Sequence, residues 1–508
     1  MDKIQSLDTL SKTLRLKKFK NKKIVLCHGV FDLLHIGHIK HFIQAKKFGD
    51  ILVVTLSPDK YVNKGPGRPA FTEKLRLQAI SSLEVVDFVS LNNLSSAVDS
   101  IKKIKPNVYC KGSDYQNHSD DLTGKIRQEV DAVKKVRGKV VYSKDITFSS
   151  SNLINKYSDI LSKSQKNLVD KIKKKFSFEK IKRKINNLKN LNVLIIGETI
   201  IDQYNYCEAL GKSGKEPIMT MRDLKIEEFL GGAAATANNL SQFSNRVTLL
   251  SSVGEKREYS KFIKSNLNKK IKTFFLSKKN SPTIIKKRYI DNTDGKINKL
   301  FGIYKINDQE LSRKEEIFFI NKLKILIKKA DLVVALDYGH GLISNKVANF
   351  ISRNSKMIVL NAQINSSNIG FHSLRKYKNI DCIVVNEREI RHELRDKFNK
   401  IDSLMKKLCK QQKINKLVVT RGSQGAVLFN SLKNKFYFCD AYAHSAIDKI
   451  GAGDVMLGMI SLCLKEKFNE ETSLLLASLA AAKSTEMIAN KEAITKTYLL
   501  KSIENIFK

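Results

Sequence analysis

Two stretches of this chain combine residue types that can handle phosphate. Residues 27–42 read Cys-His-Gly-Val-Phe-Asp-Leu-Leu-His-Ile-Gly-His-Ile-Lys-His-Phe and hold four of the nine histidines. His35 and His38 flank Gly37 where an apolar run gives way to a helical pattern. A helix N-terminus offers unpaired N–H groups and a partial positive charge to an anion. Two imidazoles there add donors that can follow charge developing on phosphorus. Residues 448–458 read Asp-Lys-Ile-Gly-Ala-Gly-Asp-Val-Met-Leu-Gly. The small residues Gly451, Ala452 and Gly453 let backbone approach a phosphate closely. A helix is expected to start near Asp454, whose carboxylate could accept the proton of an attacking hydroxyl. Alone, Gly-Ala-Gly-Asp reads equally well as a helix cap.

The surrounding pattern must position these groups. Residues 24–28 and 193–197 are short apolar runs ending at a Gly turn, each read as the first buried strand of a parallel α/β sheet. Further runs at Val247–Ser251, Leu332–Leu336, Met357–Leu360, Cys382–Val385 and Leu417–Thr420 alternate with helical patterns at Glu315–Lys329 and Ser473–Asn490. Residues 161–190 hold eleven Lys/Arg against two acids and read as a charged connecting helix or linker. The expected division is a domain at 1–160, this basic joint, and a larger domain at 191–508.

Composition limits the alternatives. The 508 residues carry 92 Lys+Arg and 50 Asp+Glu, a net charge of +42, and a hydrophobic fraction of 42% that excludes wholesale disorder. No apolar stretch approaches ~18 residues, and the start lacks a secretion signal, so a cytoplasmic protein is expected. Seven scattered cysteines without a CxxC pair argue against a disulfide scaffold and a Cys-rich zinc module. The charge invites a nucleic-acid reading. The Lys residues are spread along the chain and Arg is scarce, which fits a solvated surface better.

His28-Gly29-Val30-Phe31-Asp32 with His35-Ile36-Gly37-His38 resembles the GxFDxxHxGH motif of the cytidylyltransferase-like nucleotidyltransferases. Lys64-Gly65-Pro66-Gly67-Arg68-Pro69, Arg76, and Pro106 to Tyr115 (including Lys111) resemble the adenylyltransferase half of the bifunctional ADP-heptose synthases. This resemblance implies a Rossmann-like domain joining a phosphorylated metabolite to the α-phosphate of ATP, with CTP as the alternative. It assigns catalysis to His35, His38 and Lys111. Nucleotide contacts would come from His28, Gly29, Phe31, Asp32, Gly37 and Arg76, and from Ser149, Ser150 and Ser151 in a hydroxyl-rich loop. Class I aminoacyl-tRNA synthetases share His-x-Gly-His but need a Lys-Met-Ser-Lys-Ser-like loop, which this sequence lacks.

Gly231-Gly232-Ala233-Ala234, Asp337-Tyr338-Gly339-His340-Gly341, Asn386-Glu387-Arg388-Glu389, Val418 to Ala426 and Gly451 to Asp454 resemble, in that order, the ribokinase-like (PfkB) carbohydrate kinases. The resemblance implies a ribokinase-like α/β domain with a small lid. It makes Asp454 the catalytic base and the amides of 451–453 an anion hole. Asn386 and Glu389 would arrange Mg²⁺ and phosphate, Glu389 indirectly, and Thr420 and Gly422 would lie beside ATP. Asp202, Gly231, Gly232, Asn239, Asp337 and Lys215 would meet the sugar, although Asp202 also reads as a turn cap. Both halves of an ADP-heptose synthase are thus expected, in reversed order. Ala235 and Leu360-Asn361-Ala362-Gln363 depart from the heptose pattern, and 208–217 insert a more basic lid. The expected function is a sugar-phosphate kinase plus sugar-1-phosphate nucleotidyltransferase, with a homodimer as one option. The alternatives are the same folds acting with CTP on another sugar or polyol phosphate, and a non-enzymatic nucleic-acid-binding or scaffold protein.

Overall fold

The computed structural model describes residues 2–16, 19–116, 121–143, 161–291, 297–443 and 446–507. The expected hydroxyl loop at Ser149, Ser150 and Ser151 lies outside the described residues. The chain divides into two compact units, Met1–Lys166 with Leu500–Lys508, and Asn167–Leu499.

The first unit is built on β1 (Ile24–Gly29), β2 (Ile51–Leu56), β3 (Phe88–Leu91), β4 (Val108–Gly112) and β5 (Lys139–Ser143). The apolar runs of β1 to β4 are buried on both faces, as parallel strands covered by helices must be, whereas the edge strand β5 is only half-buried. The sheet order is β3-β2-β1-β4-β5, and every pair is parallel. The order reverses between β1 and β4, so a crevice opens past their carboxyl ends. One face packs Leu26 and Tyr109 with Leu10, Ile101 and Val133. The other packs Cys27, Val54 and Cys110 with Phe42 and Ile80.

The basic segment folds as two helices, Lys163–Lys173, within which the division between the units falls, and Phe178–Asn187 in the second unit. Ser177 caps the second by accepting from Lys180 N, and Ile181 and Ile185 are buried. Its main sheet comprises β6 (Asn192–Gly197), β9 (Arg246–Gly254), β10 (Lys272–Lys278), β13 (Leu332–Asp337), β14 (Ile358–Ala362), β15 (Cys382–Asn386), β16 (Lys416–Thr420), β17 (Ala426–Asn430) and β18 (Lys435–Cys439). The order is β10-β9-β6-β13-β14-β15-β16-β17-β18, parallel up to β16 and antiparallel beyond it. All seven sequence-expected strands lie in these two sheets. The expected helix at 473–490 is observed as Glu470–Thr485, closed at its C-terminus by a turn.

A second sheet of the same unit, β12-β11-β7-β8, joins β7 (Thr199–Lys212), β8 (Met219–Gly231), β11 (Ile284–Asp291) and β12 (Asn298–Lys305). Polar residues and glycines interrupt its strands, so none of them forms a continuous apolar run. The register sets Lys286 opposite Asp202 and Arg288 opposite Tyr204.

Backbone spacing is tight where β6 meets β13. A Cβ on Gly197 would lie 2.3 Å from the Leu336 carbonyl oxygen. Gly197→Ala should therefore force the strands apart and cost about 1–3 kcal/mol, read as a lower urea midpoint for the second unit. An unchanged midpoint would contradict this packing.

Candidate active sites

In the first unit, β1 ends at His28-Gly29 and β4 ends at Lys111-Gly112, so both sets reach the crevice. The chain then turns through Phe31, which sits at φ 46° in the left-handed region. That turn lays the Phe31 ring on Gly29, where a Cβ would meet it at 2.9 Å. The same ring meets His38 edge-on at 5.2 Å between centroids. Phe31 is thus a prop for His38. His35 caps the helix Ile36–Lys46, its Nδ1 accepting from Gly37 N at 3.0 Å. The rings of His35 and His38 stack at 3.9 Å.

These imidazoles are neutral donors, not cations. Burial, then His35 and Lys64, pull the His38 pKa down to about 3. Burial and Lys64 lower His35 as well. His28 is held down to about 3 by burial and Lys111. Its Nδ1 lies 3.0 Å from Thr55 Oγ1 and its Nε2 3.2 Å from Ser57 Oγ. The fixed positive charge is Lys111. Burial opposes its charge, but Glu129 at 3.3 Å together with Tyr115 and Asp121 outweighs that and raises its pKa. Lys111 also donates to the His28 carbonyl at 3.3 Å. Glu129 was not foreseen. It is an ordinary helix acid in sequence and becomes significant only when Tyr109 and Lys111 arrive beside it.

Two expected nucleotide contacts serve the protein itself. Asp32 binds Arg68 at 3.0 Å and accepts from Ala70 N at 2.6 Å, which anchors the 64–71 loop. Arg76 is 2% exposed, and its guanidinium holds Val30 O, Ser57 O, Phe71 O and Asp59. It therefore fixes the wall of the crevice from behind.

In the second unit, the helix Ala452–Lys465 begins at Gly451, which adopts φ 86°. A Cβ there would lie 2.2 Å from Asn490 Oδ1, so only glycine fits. The helix starts earlier than expected, which puts the free amides at 452–454 in its first turn. Asp448 secures the loop before it. Its buried carboxylate accepts from Tyr204 OH at 2.5 Å, Ile450 N at 3.0 Å and Ala489 N at 3.1 Å, and pairs with Lys299.

Asp454 is half-buried in the first turn, and desolvation of its carboxyl raises its pKa to about 7, with Asp202 adding to the rise and Tyr338 and Lys286 opposing it. Asp202 sits against Gly231, where a Cβ would be 2.3 Å from Oδ2. It receives Arg288 Nη1 at 2.6 Å. Lys286, on the same face of β11, is buried and lowered by that burial despite Asp202. The sequence reading missed Lys286 and Arg288. The signal was available: Lys-Lys-Arg inside the apolar strand Ile284-Ile285…Tyr289-Ile290. Glu198 was also missed. Burial and Asp337 raise it to about 7, and its oxygens accept from Tyr338 N, His340 N and Leu342 N at 3.1, 3.2 and 3.4 Å.

Asn386 and Glu389 form a reciprocal capping box, with Asn386 Oδ1 accepting from Glu389 N at 2.9 Å and Glu389 Oε2 from Asn386 N at 2.7 Å. Burial raises Glu389 to about 7, and Asp454 adds to it. Thr420 ends β16 beside Val385. Gly422 follows at φ 58° with open space where a Cβ would stand.

Three expected sugar contacts are placed otherwise. Asp337 is 1% exposed, and its carboxylate is held by Lys376 and Tyr377 OH, both at 2.6 Å, and by Gly339 N. Asn239 Oδ1 accepts from Ile494 N at 2.8 Å, tying two chain segments together. Lys215 lies exposed in the turn between β7 and β8. Gly232 takes φ 58°, and a Cβ there would lie 2.5 Å from the Glu198 carbonyl oxygen, so glycine lets the helix Gly232–Leu240 begin.

Comparison with known proteins bears on both units. Residues 190–492 match the family described as pfkB family carbohydrate kinase. Residues 26–157 match the family described as cytidylyltransferase-like. The bifunctional protein HldE of Geobacter metallireducens is 36% identical over 160 residues, which is 30% of this chain and 31% of that protein. Its counterpart from Aliarcobacter butzleri is 40% identical over 121 residues, 23% of this chain and 25% of that one. The aligned parts thus amount to less than a third of either relative. Phosphofructokinase-2 from Escherichia coli, solved in complex with potassium, superposes with a TM-score of 0.50 at 12% identity. It covers 63% of this chain and 100% of its own, a likeness of fold alone. No helix among the described residues is long and apolar enough to cross a membrane.

The raised Asp454 has a thermodynamic consequence. Its folded pKa exceeds the unfolded value of 3.8, so the native state holds the extra proton. That contribution to stability is complete below the unfolded value and is lost as pH rises to about 7. Asp454→Asn removes the loss, so its stability advantage over the parent should widen from pH 5 to pH 8 in urea denaturation. Curves that stay parallel across this range would contradict the buried-acid geometry.

Proposed function

Because the chain belongs to the pfkB family of carbohydrate kinases and carries a cytidylyltransferase-like segment ahead of that domain, we propose that it is a bifunctional enzyme producing a nucleotide-activated sugar. The kinase unit phosphorylates a sugar phosphate from ATP. The nucleotidyltransferase unit couples a sugar 1-phosphate to a nucleoside triphosphate and releases pyrophosphate. The pairing of these two segments with the resemblance to the ADP-heptose synthases favours a heptose 7-phosphate for the kinase and a heptose 1-phosphate with ATP for the transferase. The single observation that carries the kinase reading is Asp454, half-buried in the first turn of a helix and poised near neutral pH.

In the kinase step, a sugar hydroxyl attacks the γ-phosphorus of ATP while Asp454 takes the hydroxyl proton, and ADP leaves. A base with a pKa near the working pH suits that role. The first-turn amides, with Gly453 open to approach, receive the transferring phosphoryl group. Asp202, steered by Arg288, accepts from a sugar hydroxyl. Lys286 contributes positive charge to the same pocket. Glu389 and Asn386 suit Mg²⁺: a buried carboxylate with a raised pKa recovers its charge beside a cation. Bound there, Mg²⁺ would neutralise phosphate charge.

In the transferase step, a sugar phosphate oxygen attacks the α-phosphorus and pyrophosphate leaves. No protein nucleophile is required. His35 and His38 act as neutral donors and Lys111 as the fixed cation, so catalysis rests on positioning and charge stabilisation. Water must be kept from the crevice, and the 64–71 loop pinned by Asp32 and Arg68 forms part of its wall.

The two activities should separate. His38→Ala is expected to lower pyrophosphate release at least about 100-fold while leaving sugar phosphorylation intact, and Asp454→Asn should do the converse. Mass spectrometry of products from a panel of sugar phosphates with Mg²⁺ and ATP or CTP identifies the substrates. Product from another sugar but none from heptose phosphates would overturn the heptose assignment.

A further inference from the structure

Cys27 and Cys110 stand 83 positions apart in the sequence, and no local motif joins them. The parallel pairing of β1 with β4 sets them directly opposite one another. Both side chains lie on the sheet face covered by the helix Ile36–Lys46, in the cluster with Phe42 and Ala45. That helix delivers His41 to the same place. One donor atom from each of Cys27, Cys110 and His41 lies within 4.8 Å of the other two.

We propose that Cys27, Cys110 and His41 form a binding site for a borderline-soft divalent cation of the zinc class, held by two thiolates and one imidazole, with water as the fourth ligand. The donor set is the one such ions prefer, whereas Mg²⁺ demands oxygen. Ligand atoms of a tetrahedral ion with a Zn–S distance of about 2.3 Å stand roughly 3.8 Å apart, so donors within 4.8 Å of one another need to close by at most about 1 Å. Ser143 Oγ, at 2.9 Å from His41 Nδ1, fixes the orientation of the ring, as outer partners of metal-binding histidines do. The two thiols already interact. Burial holds Cys27 in its thiol form, and its hydrogen bond lowers the pKa of Cys110. Binding replaces that shared proton: both sulfurs become thiolates, and their protons leave to solvent.

The position gives the site a purpose. Cys27 immediately precedes His28, Cys110 immediately precedes Lys111, and His41 shares a helix with His35 and His38. An ion here would clamp the helix bearing the two donors onto the strands bearing the other crevice residues. It would lie on the opposite face of the sheet from Glu129 and Tyr109, clear of the Lys111 pair.

The test is titration of the full-length, reduced, metal-free protein with Co²⁺, then displacement by Zn²⁺. The expected result is one equivalent per chain, with thiolate-to-cobalt charge-transfer absorption and the visible bands of a four-coordinate ion. Cys110→Ser and His41→Gln, each checked by circular dichroism, should weaken binding by roughly 10–100-fold. Should Cys110→Ser not fold, His41→Gln alone decides, since His41 is only half-buried. Absence of the charge-transfer band in the parent protein, or its retention at unchanged affinity in folded His41→Gln, overturns the proposal.

Discussion

Each candidate site must hold several charged side chains with little water around them. A buried ion is strongly disfavoured unless it is paired or neutralised. Each cluster meets that constraint with a specific partner or a shifted pKa. Lys111 keeps its charge through Glu129, and Asp202 is paired with Arg288 at 2.6 Å. Asp337 is held by Lys376 and Tyr377. Where no full partner arrives, the proton is retained instead, as at Asp454, Glu389 and Glu198.

The two units solve the phosphate problem differently. In the first, burial strips charge from the histidines, so the crevice offers neutral donors around a single buried lysine. In the second, a helix start supplies amides and the acid beside it sits near neutrality. Both rely on glycine where backbone must pass close to a neighbour. Gly29 accommodates the Phe31 ring in the first, and Gly451 accommodates Asn490 in the second. Both also rely on residues behind the site. Arg76, Asp448 and Glu198 hold loops rather than ligands, and each is deeply buried. Such supports explain why an expected contact such as Asp32 is turned toward the protein.

Much of the scaffold was legible because its strands are continuous apolar runs. Ile24–Gly29 and Asn192–Gly197 announce themselves, and so do the helix starts that follow His35 and Gly451. The four-stranded second sheet was less legible. β8 is mostly exposed and mixes polar with apolar residues, and β12 is exposed throughout with a glycine splitting its apolar residues, so neither reads as a continuous buried run. Asn239 and Asp337 looked like ligand contacts by their place in a motif. A polar residue near a motif reads the same whether it faces a ligand or a neighbouring backbone amide.

The sequence by itself determined the two α/β units, their order and the short segments that could receive phosphate. Apolar period, glycine placement and helix caps are local properties written in consecutive residues. Only the tertiary structure decided which charges meet. Glu129 reaches Lys111, Arg288 reaches Asp202, Tyr204 reaches Asp448, and Cys27 faces Cys110, all across long separations in the chain. Those pairings follow from strand order and register, and they set the burial and partners on which each pKa depends.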